Sequence, residues 1–208
     1  MADFIRLYPE NPNERHVQQI VDVLRGGGVI IYPTDTVYSI GCDLTNAKAV
    51  EKVARLKGIK AEKADFSIIF NDLSMLSTYT KSVDTPTFKI LKKALPGPFT
   101  FILNASSAIP KLFKNKKKTI GIRIPDNSIP RVIVEKLGNP IIATSVHDDD
   151  DVIEYTTDPE LILEKFDDLV DLVIDGGYGD NFASTVVDFT GDSPEIIREG
   201  KGDLDLIF

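Results

Sequence analysis

Gly26-Gly27-Gly28-Val29-Ile30-Ile31-Tyr32-Pro33-Thr34-Asp35-Thr36-Val37-Tyr38-Ser39-Ile40-Gly41 holds a helix stop, a strand and a polar loop in one run. The glycines end whatever helix precedes them. They lead into a strand rather than opening a helix, so they are not a phosphate cradle. Val29 to Tyr32 is unbroken, apolar and largely β-branched, as in a strand buried on both faces. At Pro33 the chain turns polar. Four hydroxyls and the Asp35 carboxylate follow the strand end, and such groups suit hydrogen bonds to a polar ligand. Pro33 and Asp35 are also ordinary turn formers.

Upstream, Val17, Ile20, Val21 and Leu24 recur at helical spacing from Glu14 onward. Downstream, residues 46–57 read as a helix through Ala49, Val50, Val53, Ala54 and Leu56, and Phe66–Phe70 reads as a strand. Residues 86–95 form a short basic helix stopped by Pro96-Gly97-Pro98. Strands follow at 99–103 and 119–124, then a helix at 129–137 and a strand at 141–144. A helix at 158–166 starts from Asp158 before Pro159. Short strands at 172–175, 184–188 and 195–198 complete the pattern. Helices and strands alternate around a substantial sheet, which gives an α+β class of α/β type.

The 208 residues are 42% hydrophobic and 27% charged, an ordinary globular composition that excludes disorder. No apolar run approaches the ~20 residues of a membrane helix, and the first residues lack a signal peptide's pattern. The lone Cys42 rules out an internal disulfide, and two distant histidines, His16 and His147, argue against a metal site. A cytoplasmic, metal-independent protein without membrane association is expected. Neither a Walker motif nor a nucleophile elbow occurs, so a hydrolase built on those devices is unsupported.

The net charge of -8 is uneven. Residues 81–123 hold ten Lys and Arg against one acid, and residues 124–208 hold five against 21 acids. The global charge opposes avid nonspecific nucleic-acid binding, while the middle segment can present a local positive field. Lys114 and Lys116-Lys117-Lys118 have no interleaved aromatic residues to stack bases and read as a solvated loop. Asp148 to Asp151 lack calcium-loop spacing and read as a surface turn.

The run Gly27 to Asp43 resembles the signature of the YrdC/YciO family. The resemblance continues in order through Leu56-Lys57-Gly58, Pro96-Gly97-Pro98-Phe99-Thr100, Gly121-Ile122-Arg123-Ile124-Pro125, Thr144-Ser145, Ser184-Thr185-Val186-Val187-Asp188 and Ile196-Ile197-Arg198-Glu199-Gly200. It implies a twisted open mixed sheet with flanking helices, the YrdC-like or dihydroxybutanone-phosphate-synthase-like fold, as one domain over 1–208. The extra C-terminal domain of longer synthases is expected to be absent. The implied reaction is threonylcarbamoyl-AMP synthesis, a nucleotidyl transfer that joins L-threonine, bicarbonate and ATP on the way to threonylcarbamoyladenosine in tRNA. Magnesium is expected through the ATP phosphates. By resemblance, Lys57, Thr100, Ser145 and Arg198 face the nucleotide. Thr34, Thr36, Arg123 and Ser184 surround the threonine or acyl-phosphate end.

The synthases have Lys-x-Arg where this chain has Lys57-Gly58-Ile59, with Lys60 one place later. Their Ser-x-Asn is here Ser145-Val146-His147. Their strand histidine is replaced by Ile69 or Phe70, and Ser39 stands where the signature usually has glycine. These departures resemble the YciO branch. They leave two alternatives beside the synthase: a protein that binds double-stranded RNA or tRNA, and one that acts on the threonylcarbamoyl group of modified tRNA.

Overall fold

A computed structural model of the protein describes residues 1–61, 64–110, 118–146 and 157–207. In chain order the elements are β1 (Asp3–Arg6), α1 (Glu14–Arg25), β2 (Ile30–Tyr32), β3 (Ser39–Gly41), α2 (Ala47–Leu56) and β4 (Ser67–Ile69). Then come α3 (Leu76–Tyr79), α4 (Thr85–Ala94), β5 (Phe99–Asn104), β6 (Thr119–Arg123), α5 (Ser128–Leu137) and β7 (Ile141–Ser145). The chain continues through α6 (Pro159–Phe166), β8 (Leu172–Asp175), β9 (Thr185–Asp188) and β10 (Glu195–Arg198).

The helices begin where local chemistry allows. Asn13 accepts the amides of Arg15 and His16 at the start of α1, and Asp84 accepts Thr87 N–H at the start of α4. Pro159 occupies the first turn of α6 after the Asp158 cap, as read from the sequence. Gly27, with φ of 83°, follows α1 in the left-handed region. Such a turn favours glycine because a side chain there meets the backbone.

Among the described residues the strands form one mixed sheet in the order β1-β8-β2-β3-β7-β4-β6-β5-β9-β10. The pairs β1/β8, β8/β2, β4/β6 and β5/β9 are parallel and the rest antiparallel. Three elements go beyond the sequence reading, the short helix α3 among them. β3 lies inside the expected polar loop, held by antiparallel partners on both sides. β1 is an edge strand whose exposed Asp-Phe-Ile-Arg gives no periodic signal.

Side chains alternate between two layers. Val29, Ile31, Ile68, Phe99, Phe101, Ile122, Ile142 and Val187 pack with α2, α4 and α6. On the other face Ile30, Tyr32, Ile69, Ile141, Leu172 and Ile174 pack beneath α1 and α5. Each fully buried aliphatic chain contributes about 1.5–3 kcal/mol. α1 and α5 cover only part of that second face. The remainder, from the ends of β3 and β7 across β4, β6 and β5 to β9, borders a cavity, and there the expected site residues gather. Among the described residues no helix is long and apolar enough to cross a membrane.

Candidate functional site

The open face is floored by short side chains. Ser39, Ser67, Thr100, Gly121, Ala143 and Ser145 all line a cavity of about 560 Å³. At its centre Gly121 leaves little room for a side chain. A Cβ at Gly121 would lie 3.2 Å from Thr100 Cγ2 and 3.3 Å from Ser67 Cβ. A second cavity of about 460 Å³ shares Thr119 and Asp188 with the first and extends toward Glu195.

Arg123 closes β6 and stands at one end of the cavity. It is 5% exposed, a cost met only by partners. Its Nη2 donates to Asp35 Oδ1 at 3.0 Å and to Thr36 Oγ1 at 2.9 Å. Asp35 Oδ2 accepts Asp126 N–H at 3.0 Å. The hydroxyls then run in one direction. Thr34 Oγ1 donates to Val37 O at 2.8 Å, so the 3.1 Å contact between the two threonines carries the Thr36 proton. Arg123 Nε is buried and has no hydrogen-bond partner among the described residues.

Arg198 arrives from the other side. The register of β10 against β9 shifts between Ile196 and Arg198, so that Ile197 and Arg198 both line the cavity. Re-aiming a side chain is what such an irregularity does. Arg198 Nη2 and Nε donate to Ser184 O at 2.8 and 3.1 Å, and Nη2 also reaches Ser184 Oγ at 3.3 Å. Ser184 Oγ in turn meets Thr100 Oγ1 at 2.8 Å. All these partners are neutral, and no carboxylate pairs with Arg198 among the described residues. Burial, and then the positive charge of Arg123, hold its guanidinium below its ordinary pKa. An anion between the two guanidiniums relieves that repulsion.

Lys57 follows α2 and donates through Nζ to the backbone oxygen of Ser145 at 3.2 Å. Lys57 is not itself among the residues lining the cavity; its ammonium stands beside the end of β7. Ser39 is the cross-strand partner of Ser145, and its buried Oγ has no hydrogen-bond partner among the described residues.

Of the residues expected from the sequence, Arg123, Thr100, Ser145, Ser184 and Arg198 line the cavity together. Thr34 and Thr36 are 7% and 0% exposed and stand behind Arg123, holding it. Ile59 is 42% exposed. His147 and Asp148 to Asp151 lie outside the described residues, as do Lys114, Lys116 and Lys117. Asp35, first read as a loop carboxylate, gains its importance only from its contact with Arg123. Among the described residues no three His, Cys, Asp or Glu side chains converge to hold a metal.

A mixed sheet with one half-open face, floored by small hydroxylated residues and flanked by two guanidiniums, defines an α+β protein with a polar, arginine-lined cavity. The chain belongs to the Sua5/YciO/YrdC family, whose model, described as telomere recombination, matches residues 22–200. It is 40% identical over 206 residues to YciO of Escherichia coli K12, an uncharacterized protein, with 98% of each chain covered. The crystal structure of Escherichia coli YciO superposes with a TM-score of 0.91 and full coverage of both chains. The threonylcarbamoyl-AMP synthase of Nitrosococcus oceani is 32% identical over 136 residues, covering 65% of this chain and 72% of that one. Sua5 of P. abyssi, solved with L-threonine, has a TM-score of 0.82 at 24% identity, covering 96% of this chain and 57% of that one.

Proposed function

We propose that the cavity binds ATP and L-threonine and supports formation of threonylcarbamoyl-AMP from them with bicarbonate. The observation that carries this reading is Arg198, held by neutral Ser184 groups and set against Arg123 across a polar cavity. A guanidinium held by neutral groups alone, beside a second one that Asp35 only partly satisfies, suits a ligand with carboxylate and phosphate groups. The relatives add chemistry: one is a threonylcarbamoyl-AMP synthase and another was solved with L-threonine.

In this reading the threonine nitrogen joins the bicarbonate carbon with loss of water. The resulting carbamate oxygen attacks the α-phosphorus of ATP, and pyrophosphate leaves. Arg123 sets its positive charge at the carboxylate or acyl-phosphate end. Thr100 and Ser184 supply neutral hydroxyls beside it. Lys57 and Arg198 balance charge on the phosphates, and a magnesium ion carried by ATP would supply further positive charge there. Positioning and electrostatics carry such a step, so no protein nucleophile is required.

One observation favours a second reading. Ile59 occupies the arginine position of the synthases' Lys-x-Arg motif and is 42% exposed. A site that keeps Arg123 and Arg198 while lacking this third guanidinium suits a reaction in which no pyrophosphate leaves, such as cleavage of the threonylcarbamoyl group from modified tRNA. A tRNA substrate belongs to this reading, and double-stranded RNA binding is its weaker form.

Calorimetric titration of ATP and of L-threonine tests the first reading. Saturable binding of both, each weakened by Arg198→Gln, is expected. Binding of neither by the folded protein overturns it.

A further inference from the structure

Lys201 lies outside the cavity lining, yet it joins three chain segments around it. Its Nζ donates to Asp35 O at 2.8 Å and sits 2.6 Å from Asp180 Oδ2. Its backbone N–H donates to Ala183 O at 2.8 Å. Asp180 N–H donates in turn to Thr36 O at 3.2 Å. The backbone that delivers Lys201 is fixed on both sides. Thr185 Oγ1 accepts Gly200 N–H at 3.0 Å and donates to Gly202 O at 2.8 Å. A Cβ at Gly200 would come within 2.3 Å of Ala183 O, and one at Gly202 within 2.6 Å of the Phe99 ring.

The joined segments are the supports of the two guanidiniums. Residues 33–38 carry Asp35 and Thr36, which hold Arg123. Residues 176–184 end in Ser184, which holds Arg198. Tyr38 adds a second tie between these segments. Its hydroxyl donates to Gly177 O at 2.6 Å and accepts Gly176 N–H at 3.1 Å.

An exposed lysine–aspartate pair by itself contributes little. Here the lysine has a second acceptor, the carbonyl of the aspartate whose side chain grips Arg123. A shift of Lys201 is therefore transmitted to Asp35 and from there to the guanidinium.

We propose that Lys201, with Asp180 as its counter-charge, is a positioning residue that sets the spacing of Arg123 and Arg198 and so the affinity of the cavity for a nucleoside triphosphate. This rests on the anion-binding reading of the cavity.

The test separates positioning from simple charge. Asp180→Asn removes a negative charge near an anion site, so Coulomb attraction alone makes ATP bind more tightly. Loss of the clasp makes it bind more weakly, by about threefold to thirtyfold, the range for removal of a coupling contact. Calorimetric titration of ATP is run on wild type, Asp180→Asn, Lys201→Met and Lys201→Arg. Amide hydrogen exchange is followed on the same proteins without ligand. The expected result is weaker binding in Asp180→Asn and Lys201→Met, substantial rescue in Lys201→Arg, and faster exchange over residues 34–37 and at Asp180 in the first two. Wild-type protein that binds ATP, with Asp180→Asn binding as tightly or more tightly, overturns the positioning role alone. Unchanged exchange in Asp180→Asn also overturns it. Wild-type protein that binds no ATP overturns the anion reading and, with it, this role in affinity. If Lys201→Met does not fold, Asp180→Asn and Lys201→Arg decide the matter.

Discussion

Arg123→Met removes one half of a buried ion pair and leaves the other half in place. The Arg123 and Asp35 side chains are only 6% and 8% exposed, so water cannot readily replace the lost guanidinium. Asp35 keeps the Asp126 N–H but loses the donor at Oδ1, and Thr36 Oγ1 loses its donor too. Breaking a buried pair from one side costs about 3–5 kcal/mol. For a chain of this size each kcal/mol moves the melting temperature by about 2–4 °C, so a drop of about 6–20 °C is expected. Urea unfolding and thermal scans of Arg123→Met, Asp35→Asn and the double variant measure it. The double variant is expected to lose at least about 1 kcal/mol less than the two single losses combined, because the partners are in contact. A loss below about 1 kcal/mol in Arg123→Met, within the range of ordinary substitutions, refutes the reasoning. So does additivity within about 0.5 kcal/mol.

Lys57→Ala is expected to weaken ATP binding more than Lys60→Ala, because Lys57 reaches Ser145 at the cavity. Equal losses in titration point instead to generic surface charge. Gly202→Ala is expected to destabilise the fold by about 1–3 kcal/mol through overpacking, read as a lower urea midpoint, since its Cβ would meet the Phe99 ring at 2.6 Å. Asp180 is held below the usual carboxylate range, first by its hydrogen bond from Lys201. Its folded pKa is depressed, so its stabilisation is complete above the unfolded value near ~4 and is lost as pH falls through the lower folded value. The stability difference between wild type and Asp180→Asn should therefore be flat at neutral pH and shrink only in acid.

The interior strands were readable because burial on both faces leaves an apolar run, as at Ile141-Ile142-Ala143 and Leu172-Val173-Ile174. β3 was hidden. Ser39-Ile40-Gly41 has little intrinsic strand character and becomes a strand through its partners β2 and β7. Strand order lay beyond the sequence as well, since β8 inserts between β1 and β2 through pairings about 140 to 170 residues apart. The site divides in the same way. Thr100, Arg123, Ser145, Ser184 and Arg198 were found through their motif resemblance, and they do converge. Lys201 and Asp180 belong to no polar pattern of their own. Their importance comes from contacts across the fold, Lys201 with Asp35 O over 166 residues of chain and Asp180 with Lys201 and Thr36 O.

The most direct measurement is pyrophosphate release from ATP by the purified protein, with and without L-threonine and bicarbonate, beside an active synthase. Release that requires both co-substrates and is lost in Arg198→Gln is the expected result. A folded, ATP-binding protein that releases no pyrophosphate while the control turns over contradicts synthesis. In that case threonylcarbamoylated tRNA becomes the substrate to test.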